Sequence, residues 1–394
     1  MPAPGAQRAQ RRDSKNFNMR SKVASILLNV AISLVSLAVA AGLAYVGLKK
    51  TGLYKRIFLD TQTIIQEAEN IAYVEDIHVG RKLKPNTQIH YKTPYFETRV
   101  VTNSDGFTGR DYFAHTDNYR IAILGDSMVE AYGVPDTSRF THLMESAVYS
   151  KTSGKRIVEV MGFGVSGWGQ VHAYGCIKHY VLKYQPNEVW LMFLSSNDIG
   201  DNTPYLNGPP TGPTFIYKKG SESEIEDIRF GYVKVPDAAH QERFLRYGSA
   251  QELSSIWQQW TFGLYPYFYS SDTHPLWEKI WSHTVQTFRL IQKVCAEHKV
   301  RVRVVYRPSG YEIDYHDWAG FKQEARKTLG KEIPLEQSLG ERRMRRALEA
   351  LGLEWISLRD MKNRGIQTKA DEAELGKHAA LADFLADVLL KTMP

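Results

Sequence analysis

The segment 119–134, Tyr-Arg-Ile-Ala-Ile-Leu-Gly-Asp-Ser-Met-Val-Glu-Ala-Tyr-Gly-Val, limits the fold more than any other part of this 394-residue chain. A short apolar run, Ile121 to Leu124, leads into Gly125-Asp126-Ser127 and then a helical turn. That order places one serine hydroxyl at the carboxyl end of a strand, where open α/β sheets bind their ligands. Gly125 permits the tight turn because it has no Cβ to clash. A lone Gly-Asp-Ser arises often by chance, so its weight depends on the segments C-terminal to it.

Ile157 to Val160 reads as a second apolar strand, running into Gly162-Phe-Gly164-Val-Ser-Gly167-Trp-Gly169. A helix-like segment, Gln170 to Tyr184, comes next, and then a third strand, Glu188 to Leu194, ending in Ser195-Ser196-Asn197-Asp198. Strands alternating with helical segments imply parallel βαβ units, and right-handed crossovers put all three carboxyl ends on one edge. A serine, a glycine-rich turn and an asparagine are therefore expected side by side. The set suits nucleophilic chemistry. A serine hydroxyl is a weak nucleophile until a base takes its proton. The oxyanion that then forms needs preorganised donors, each worth a few kcal/mol. The backbone N–H groups of Ser127 and Gly167 and the Asn197 carboxamide would supply three.

In this order and spacing the segments resemble the SGNH hydrolases, the GDSL esterase and lipase superfamily. Its first block is matched by Gly125-Asp126-Ser127, its second by the turn ending in Gly167, and its third by Asn197-Asp198. Ser195-Ser196 stands where a glycine is more usual. The upstream Asn103-Ser-Asp-Gly106-Phe-Thr-Gly-Arg110 is similar to the lead-in of membrane-anchored bacterial members. The resemblance covers residues 100–200 well and the C-terminal end loosely. It implies a flavodoxin-like three-layer α/β/α sandwich with a parallel sheet, and hydrolysis of acyl esters by a Ser-His-Asp set. This is not the Gly-x-Ser-x-Gly elbow of the other large serine esterase fold.

The last block departs from the family. The resemblance implies Asp-x-x-His just before the final helix, supplying both base and orienter. Here the final strand is Leu353 to Leu358, the final helix runs from about Leu375 to Leu390, and no Asp-x-x-His lies between them. Aligning the helix puts Asp371 or Glu372 at the expected base position and His378 further along. Three readings stay open. His378 is a displaced base oriented by Asp371 or Glu374; or Asp314-Tyr-His316-Asp317 supplies it from an earlier loop; or the fold is kept with weak or lost hydrolysis. Removing one member of a triad typically costs several orders of magnitude in rate. For Ser127 the competing role is a hydroxyl that caps the following helix.

Val23 to Leu48 contains no charged residue across 26 positions. About 20 apolar residues suffice for a spanning helix, so a transmembrane anchor is expected. A cleavable signal peptide is the competing reading, but its apolar region would be about 7–15 residues. Arg8, Arg11, Arg12, Lys15, Arg20 and Lys22 precede the run against only Asp13. The positive-inside bias thus predicts a cytoplasmic tail at 1–22 and an exported, periplasmic body. The chain's net charge is +7, most of it in that tail. No basic stripe interleaved with aromatics points to nucleic acid. Ser36, Ala40 and Ala44 recur every four residues, a spacing that permits close helix packing in lipid and a membrane-complex partner.

Only Cys176 and Cys295 are present, in predicted helices, so two buried free thiols are expected rather than a disulfide framework. No zinc-type Cys/His spacing appears, and no metal or cofactor is called for. Residues 52–75 read as a juxtamembrane helix and Lys82 to Val101 as a β-rich lead-in, together filling 49–117. The SGNH-like domain is expected over 118–394, with an insertion at about 200–290. Within the insertion, Thr214 to Lys218 and Phe230 to Val235 look like strands. Trp257, Trp260, Phe262, Tyr265, Tyr267, Phe268 and Tyr269 form an aromatic cluster: core patch, sugar-stacking wall or membrane-interface belt. Pro275 to His298 reads as a helix, and Val300 to Tyr306 as a strand. A charged helical stretch comes after it at 321–349, carrying Arg342, Arg343, Arg345 and Arg346.

Overall fold

The computed structural model describes residues 73–92, 97–203, 212–221, 223–230, 263–363 and 374–393. All of them belong to one compact unit, Asn70–Pro394. The expected tail, the apolar run 23–48 and the segment that holds Asp371 and Glu372 lie outside the described residues. Among the described residues no helix is long and apolar enough to cross a membrane.

Two antiparallel hairpins come first. β1 (Tyr73–Asp76) pairs with β2 (Gly80–Leu83), and β3 (Gln88–Lys92) pairs with β4 (Glu97–Val101). The central sheet is built from β5 (Tyr119–Gly125), β6 (Val158–Gly164) and β7 (Glu188–Leu194), then two later strands. β8 (Thr214–Tyr217) and β9 (Ile225–Arg229) form a separate hairpin. β10 (Arg301–Arg307) and β11 (Glu354–Ser357) complete the sheet. Its order is β11-β10-β7-β5-β6, and every pairing within it is parallel. Counted among the sheet's own strands this is 2-1-3-4-5, a doubly wound order that reverses direction between β5 and β7.

The helices are α1 (Ser127–Glu130), α2 (Phe140–Lys151), α3 (Gln170–Cys176), α4 (Asp198–Asp201), α5 (Pro275–Glu297), α6 (Gly310–Ile313), α7 (Tyr315–Leu329), α8 (Leu339–Ala350), α9 (Arg359–Asn363) and α10 (Glu374–Thr392). A parallel sheet needs both faces covered, so its strands carry nearly unbroken apolar runs. Successive side chains divide between the two faces. Ile121 and Ile123 pack with Val160, Trp190 and Met192 under α2 and α10. Ala122 and Leu124 pack with Phe163, Leu191 and Val304 under α3, α5 and α8. The result is a three-layer sandwich.

Three charged residues at the other edge of the sheet, Arg120, Glu188 and Arg303, are buried with partners. Arg120 Nε reaches Glu159 Oε2 at 2.7 Å, and Glu188 accepts from Tyr119 Oη at 2.6 Å and Arg303 Nη2 at 3.2 Å. Buried charges of this kind persist only when paired and hydrogen-bonded.

Several boundaries differ from the sequence expectations. Residues 73–75 belong to strand β1 rather than to a helix, because they pair in register with Arg81 to Leu83. β6 runs on to Gly164, so two of the glycines lie within the strand. The helical segment 170–184 changes pitch, with a π turn at Ile177–Val181 and a 3₁₀ turn at Leu182–Tyr184 after α3. In the insertion Ile225–Arg229 is a strand that the sequence reading does not mark, while the expected strand Phe230 to Val235 lies, apart from Phe230, outside the described residues. The stretch 321–349 is split between α7 and α8, since Gly330 ends α7 in the left-handed conformation (φ +65°). Tyr265, Tyr267, Phe268 and Tyr269 are all buried in the core, which leaves the described part of the aromatic cluster no face for sugar or lipid. Arg342 pairs with Glu336 at 2.6 Å, Arg345 pairs with Glu349 at 2.8 Å, and Arg343 donates to the Tyr267 carbonyl at 2.6 Å. Cys176 and Cys295 are free and buried.

Candidate active site

At the end of β5 the chain turns at Gly125, where a Cβ would lie 2.7 Å from Val129 and 2.9 Å from Met192. Asp126 caps α1: its Oδ1 accepts the Met128 N–H at 3.0 Å. The capping role open to Ser127 therefore belongs to its neighbour. Ser127 is half-buried and begins the helix. Among the described residues neither its hydroxyl nor its backbone N–H makes a hydrogen bond.

The turn after β6 is fastened to α1. The Val165 N–H reaches the Gly125 carbonyl at 3.3 Å, and the N–H and hydroxyl of Ser166 donate to Glu130 Oε2 at 2.5 and 2.7 Å. Glu130 is fully buried and also accepts from Tyr73 Oη at 2.9 Å and Tyr91 Oη at 3.2 Å. Burial pushes its carboxyl above the usual range, and the hydrogen bonds from Ser166, Tyr73 and Tyr91 act the other way. Gly167 has φ +75°, a region that glycine enters without strain, and its N–H has no partner among the described residues. Arg81, from β2, donates through Nη2 to the Ser166 carbonyl. The same nitrogen lies 3.0 Å from where a Cβ on Gly167 would stand.

Asn197 follows β7 and opens α4. Its Nδ2 donates to Asp201 at 2.9 Å and, over a long 3.4 Å, to Asp126 Oδ2. Asp198 is buried; its Oδ2 accepts from Gln170 Nε2 at 2.7 Å and the Leu194 N–H at 3.1 Å, while its Oδ1 has no hydrogen-bond partner. Burial, then the nearby Asp126 charge, holds the Asp198 carboxyl well above its ordinary range. Asp126 is raised too, again chiefly by burial. Ser195, where the resemblance implies a glycine, has structural partners. Its hydroxyl donates to Glu312 and accepts the Ser309 N–H at 2.8 Å, with Tyr306 Oη on the other Glu312 oxygen at 2.5 Å.

The three blocks therefore meet at one edge, joined through Asp126–Asn197, Gly125–Val165 and Glu130–Ser166. Ser127 and Asn197 follow β5 and β7, the pair flanking the reversal of strand order, where α/β sheets open a crevice for ligands. An open groove of about 460 Å³ lies elsewhere, lined by Ser223, Trp281, Gln286 and Arg289, and contains none of these residues.

His378 sits in α10 and is buried. Its Nδ1 accepts the Phe140 N–H at 3.1 Å, and its ring stacks on Phe140 with centroids 5.7 Å apart. A neutral imidazole that accepts at Nδ1 carries its proton on Nε2. In this arrangement the ring has no free lone pair for the Ser127 proton. Asp371 is outside the described residues, and so is the Glu374 side chain. Asp314 accepts the N–H groups of His316 and Asp317 at 2.7 and 3.1 Å, so that segment serves as the N-cap of α7. Among the described residues no group of three acids, histidines or cysteines could hold a metal ion.

Two residues that the sequence does not single out stand at this edge. Arg81 is one. Arg307, the last residue of β10, is the other: its Nη1 lies 3.0 Å from Met128 Sδ, and its charge acts on Asp126. Its only sequence signal is a cation at a strand's carboxyl end.

No family model and no curated protein matches this chain. Solved structures do. The psychrotrophic esterase EstA from Pseudoalteromonas sp. is 9% identical with a TM-score of 0.33, over 70% of this chain and 98% of that one. The acetyl xylan esterase AlAXEase is 12% identical with a TM-score of 0.34, over 70% and 100%. A catalytic mutant of the acetylxylan esterase Axe2 from Geobacillus stearothermophilus is 11% identical with a TM-score of 0.34, over 71% and 95%. At these TM-scores the likeness is too coarse to assign residue roles, which rest on the geometry above.

Proposed function

We propose that this chain is a serine esterase of the SGNH type that acts on acyl or acetyl esters of the cell envelope. The apolar run 23–48 anchors it in the inner membrane, with its body in the periplasm. The reading rests on one observation: an unbonded Ser127 hydroxyl shares a sheet edge with the unbonded N–H groups of Ser127 and Gly167 and with the Asn197 amide, one of whose two N–H groups is held only by the long bond to Asp126. In the reaction Ser127 Oγ attacks the acyl carbon, and the carbonyl oxygen becomes an oxyanion received by those donors. The alcohol leaves with a proton, and water then releases the acid from the acyl-serine. His378 takes the Ser127 proton in this scheme once its bond to the Phe140 N–H has broken. Asp371 or Glu374 then orients the ring.

A second reading has its own support. The Phe140–His378 bond and the lack of Asp-x-x-His between the final strand and the final helix favour a fold kept as scaffold, an accessory subunit docked on a membrane complex through the small-residue face of the anchor. One assay separates the two. The esterase reading expects the purified protein to hydrolyse p-nitrophenyl acetate, Ser127→Ala to abolish this, and a fluorophosphonate probe to label Ser127. Equal inertness of wild type and variant, with no labelling, leaves only the scaffold.

A further inference from the structure

Two guanidinium groups reach the elements that flank Ser127, one on each side of β5 in the strand order. Arg81 comes from the β1–β2 hairpin to the turn that follows β6. Arg307 comes from the end of β10, beyond β7, to the residue next to Ser127. Neither forms an ion pair with any described carboxylate. Elsewhere on the body many arginines are matched, Arg110 with Glu145 and Arg359 with Glu341 among them.

Arg81 is not a loose surface cation. It is half-buried, anchored on the Ser166 carbonyl and laid over the Tyr73 ring at 5.1 Å, so its fork is held against the Gly167 turn. Arg307 is exposed, and among the described residues its guanidinium bonds only the thioether of Met128, next to Ser127, which leaves its other donors without a protein partner there. The carboxylates nearby, Asp126, Glu130, Asp198 and Asp201, sit below the surface in bonds to Asn197, Gln170, Ser166, the Tyr73 and Tyr91 hydroxyls and backbone N–H groups. The open side of the site is therefore cationic.

We infer that the Ser127 site takes an anionic ligand, with Arg81 and Arg307 binding a carboxylate or phosphate group carried by the ester near its scissile bond. Planar guanidinium forks match both anions in charge and geometry. The inference rests on the esterase reading for the word ester, but the anion site itself does not need turnover. An acyl ester of an acidic sugar, or of a phosphorylated one, is the substrate class that fits.

The test measures equilibrium binding to the full-length protein by titration calorimetry, with D-glucuronate, D-glucose 6-phosphate and D-glucose as probes. Either acidic sugar should bind at least about tenfold tighter than glucose, and Arg307→Gln should remove most of that preference. The preference should also shrink as salt rises. Glucuronate alone or the phosphate alone identifies which anion the site reads. Arg307 is exposed, so its variant keeps the fold; Arg81→Gln is judged only where circular dichroism matches wild type. Equal binding of all three sugars, no binding of any, or an unchanged preference in Arg307→Gln overturns the inference. Ser127→Ala should keep the binding and lose hydrolysis of p-nitrophenyl acetate. Binding without any wild-type hydrolysis therefore rejects the esterase and leaves the anion site. Hydrolysis without charge preference does the reverse.

Discussion

The imidazole of His378 is bonded through Nδ1 to the backbone N–H of Phe140, 238 residues earlier in the chain. The bond joins the second turn of α10 to the first residue of α2, so the ring has a structural task whatever else it does. An orphaned buried donor costs roughly 1–3 kcal/mol, and loss of the ring's packing adds to that. His378→Ala should lower unfolding free energy by at least about 2 kcal/mol in urea titrations. His378→Gln, whose amide oxygen can accept the same N–H, should recover part of that loss. A ring that also serves as base predicts that the Gln variant regains stability without regaining esterase rate.

Two glycines of β6 should behave in opposite ways. A Cβ on Gly164 would lie 2.3 Å from the Glu130 backbone nitrogen and 2.5 Å from Val129 Cβ, neither of which can swing aside. Gly164→Ala must push α1 off the strand, and Ser127 with it, costing about 3 kcal/mol or more. Gly162→Ala meets nothing closer than Thr141 at 3.5 Å and should change stability by less than about 1 kcal/mol. Paired melting curves of the two variants check this.

Replacing Ser195 by the glycine that the resemblance implies there should weaken the protein. Ser195→Gly removes a hydroxyl that serves both Glu312 and the Ser309 N–H, all of them buried. The expected loss is about 1–3 kcal/mol, read by denaturant titration.

Asp198 should make stability fall as pH rises. Its folded-state value is raised, so the folded protein holds a proton that the unfolded chain releases above about pH 4. The favourable contribution is complete below that point and is lost as pH rises through the raised value. Asp126 is raised beside it, so the two carboxyls titrate as a pair. Asp198→Asn keeps an acceptor for Gln170 and offers an N–H from the position of the unpartnered oxygen. The variant should match wild type near pH 4 and exceed it in melting temperature at pH 8. A difference that is constant with pH would refute this account.

The sheet strands are legible because a parallel sheet buried on both faces writes long apolar runs such as Ile121 to Leu124 and Glu188 to Leu194. The three blocks are legible for the same reason: each comes directly after such a run. Other features depend on contacts distant in sequence. Nothing local in Gly80-Arg-Lys-Leu83 says that Arg81 meets the Gly167 turn, where it bonds Ser166, 85 residues further along the chain. Gly164 resembles part of a turn because glycine needed for close approach and glycine needed for bending read alike in a sequence. The burial of Tyr265 to Tyr269 is similarly hidden, since aromatic residues suit a core, a sugar wall and a lipid boundary equally. At His378 the residue type suggests chemistry, whereas its Nδ1 is occupied by a backbone amide.

The double hairpin ahead of β5 determines where the polypeptide can be shortened. Strand β5 invites a cut near residue 118, yet Tyr73 and Tyr91 each give a hydroxyl to Glu130, whose carboxylate sees no water. Trimming there would strand that acid in the interior and take Arg81 away from the Gly167 turn. Recombinant versions meant to stay soluble and intact should start upstream of Tyr73.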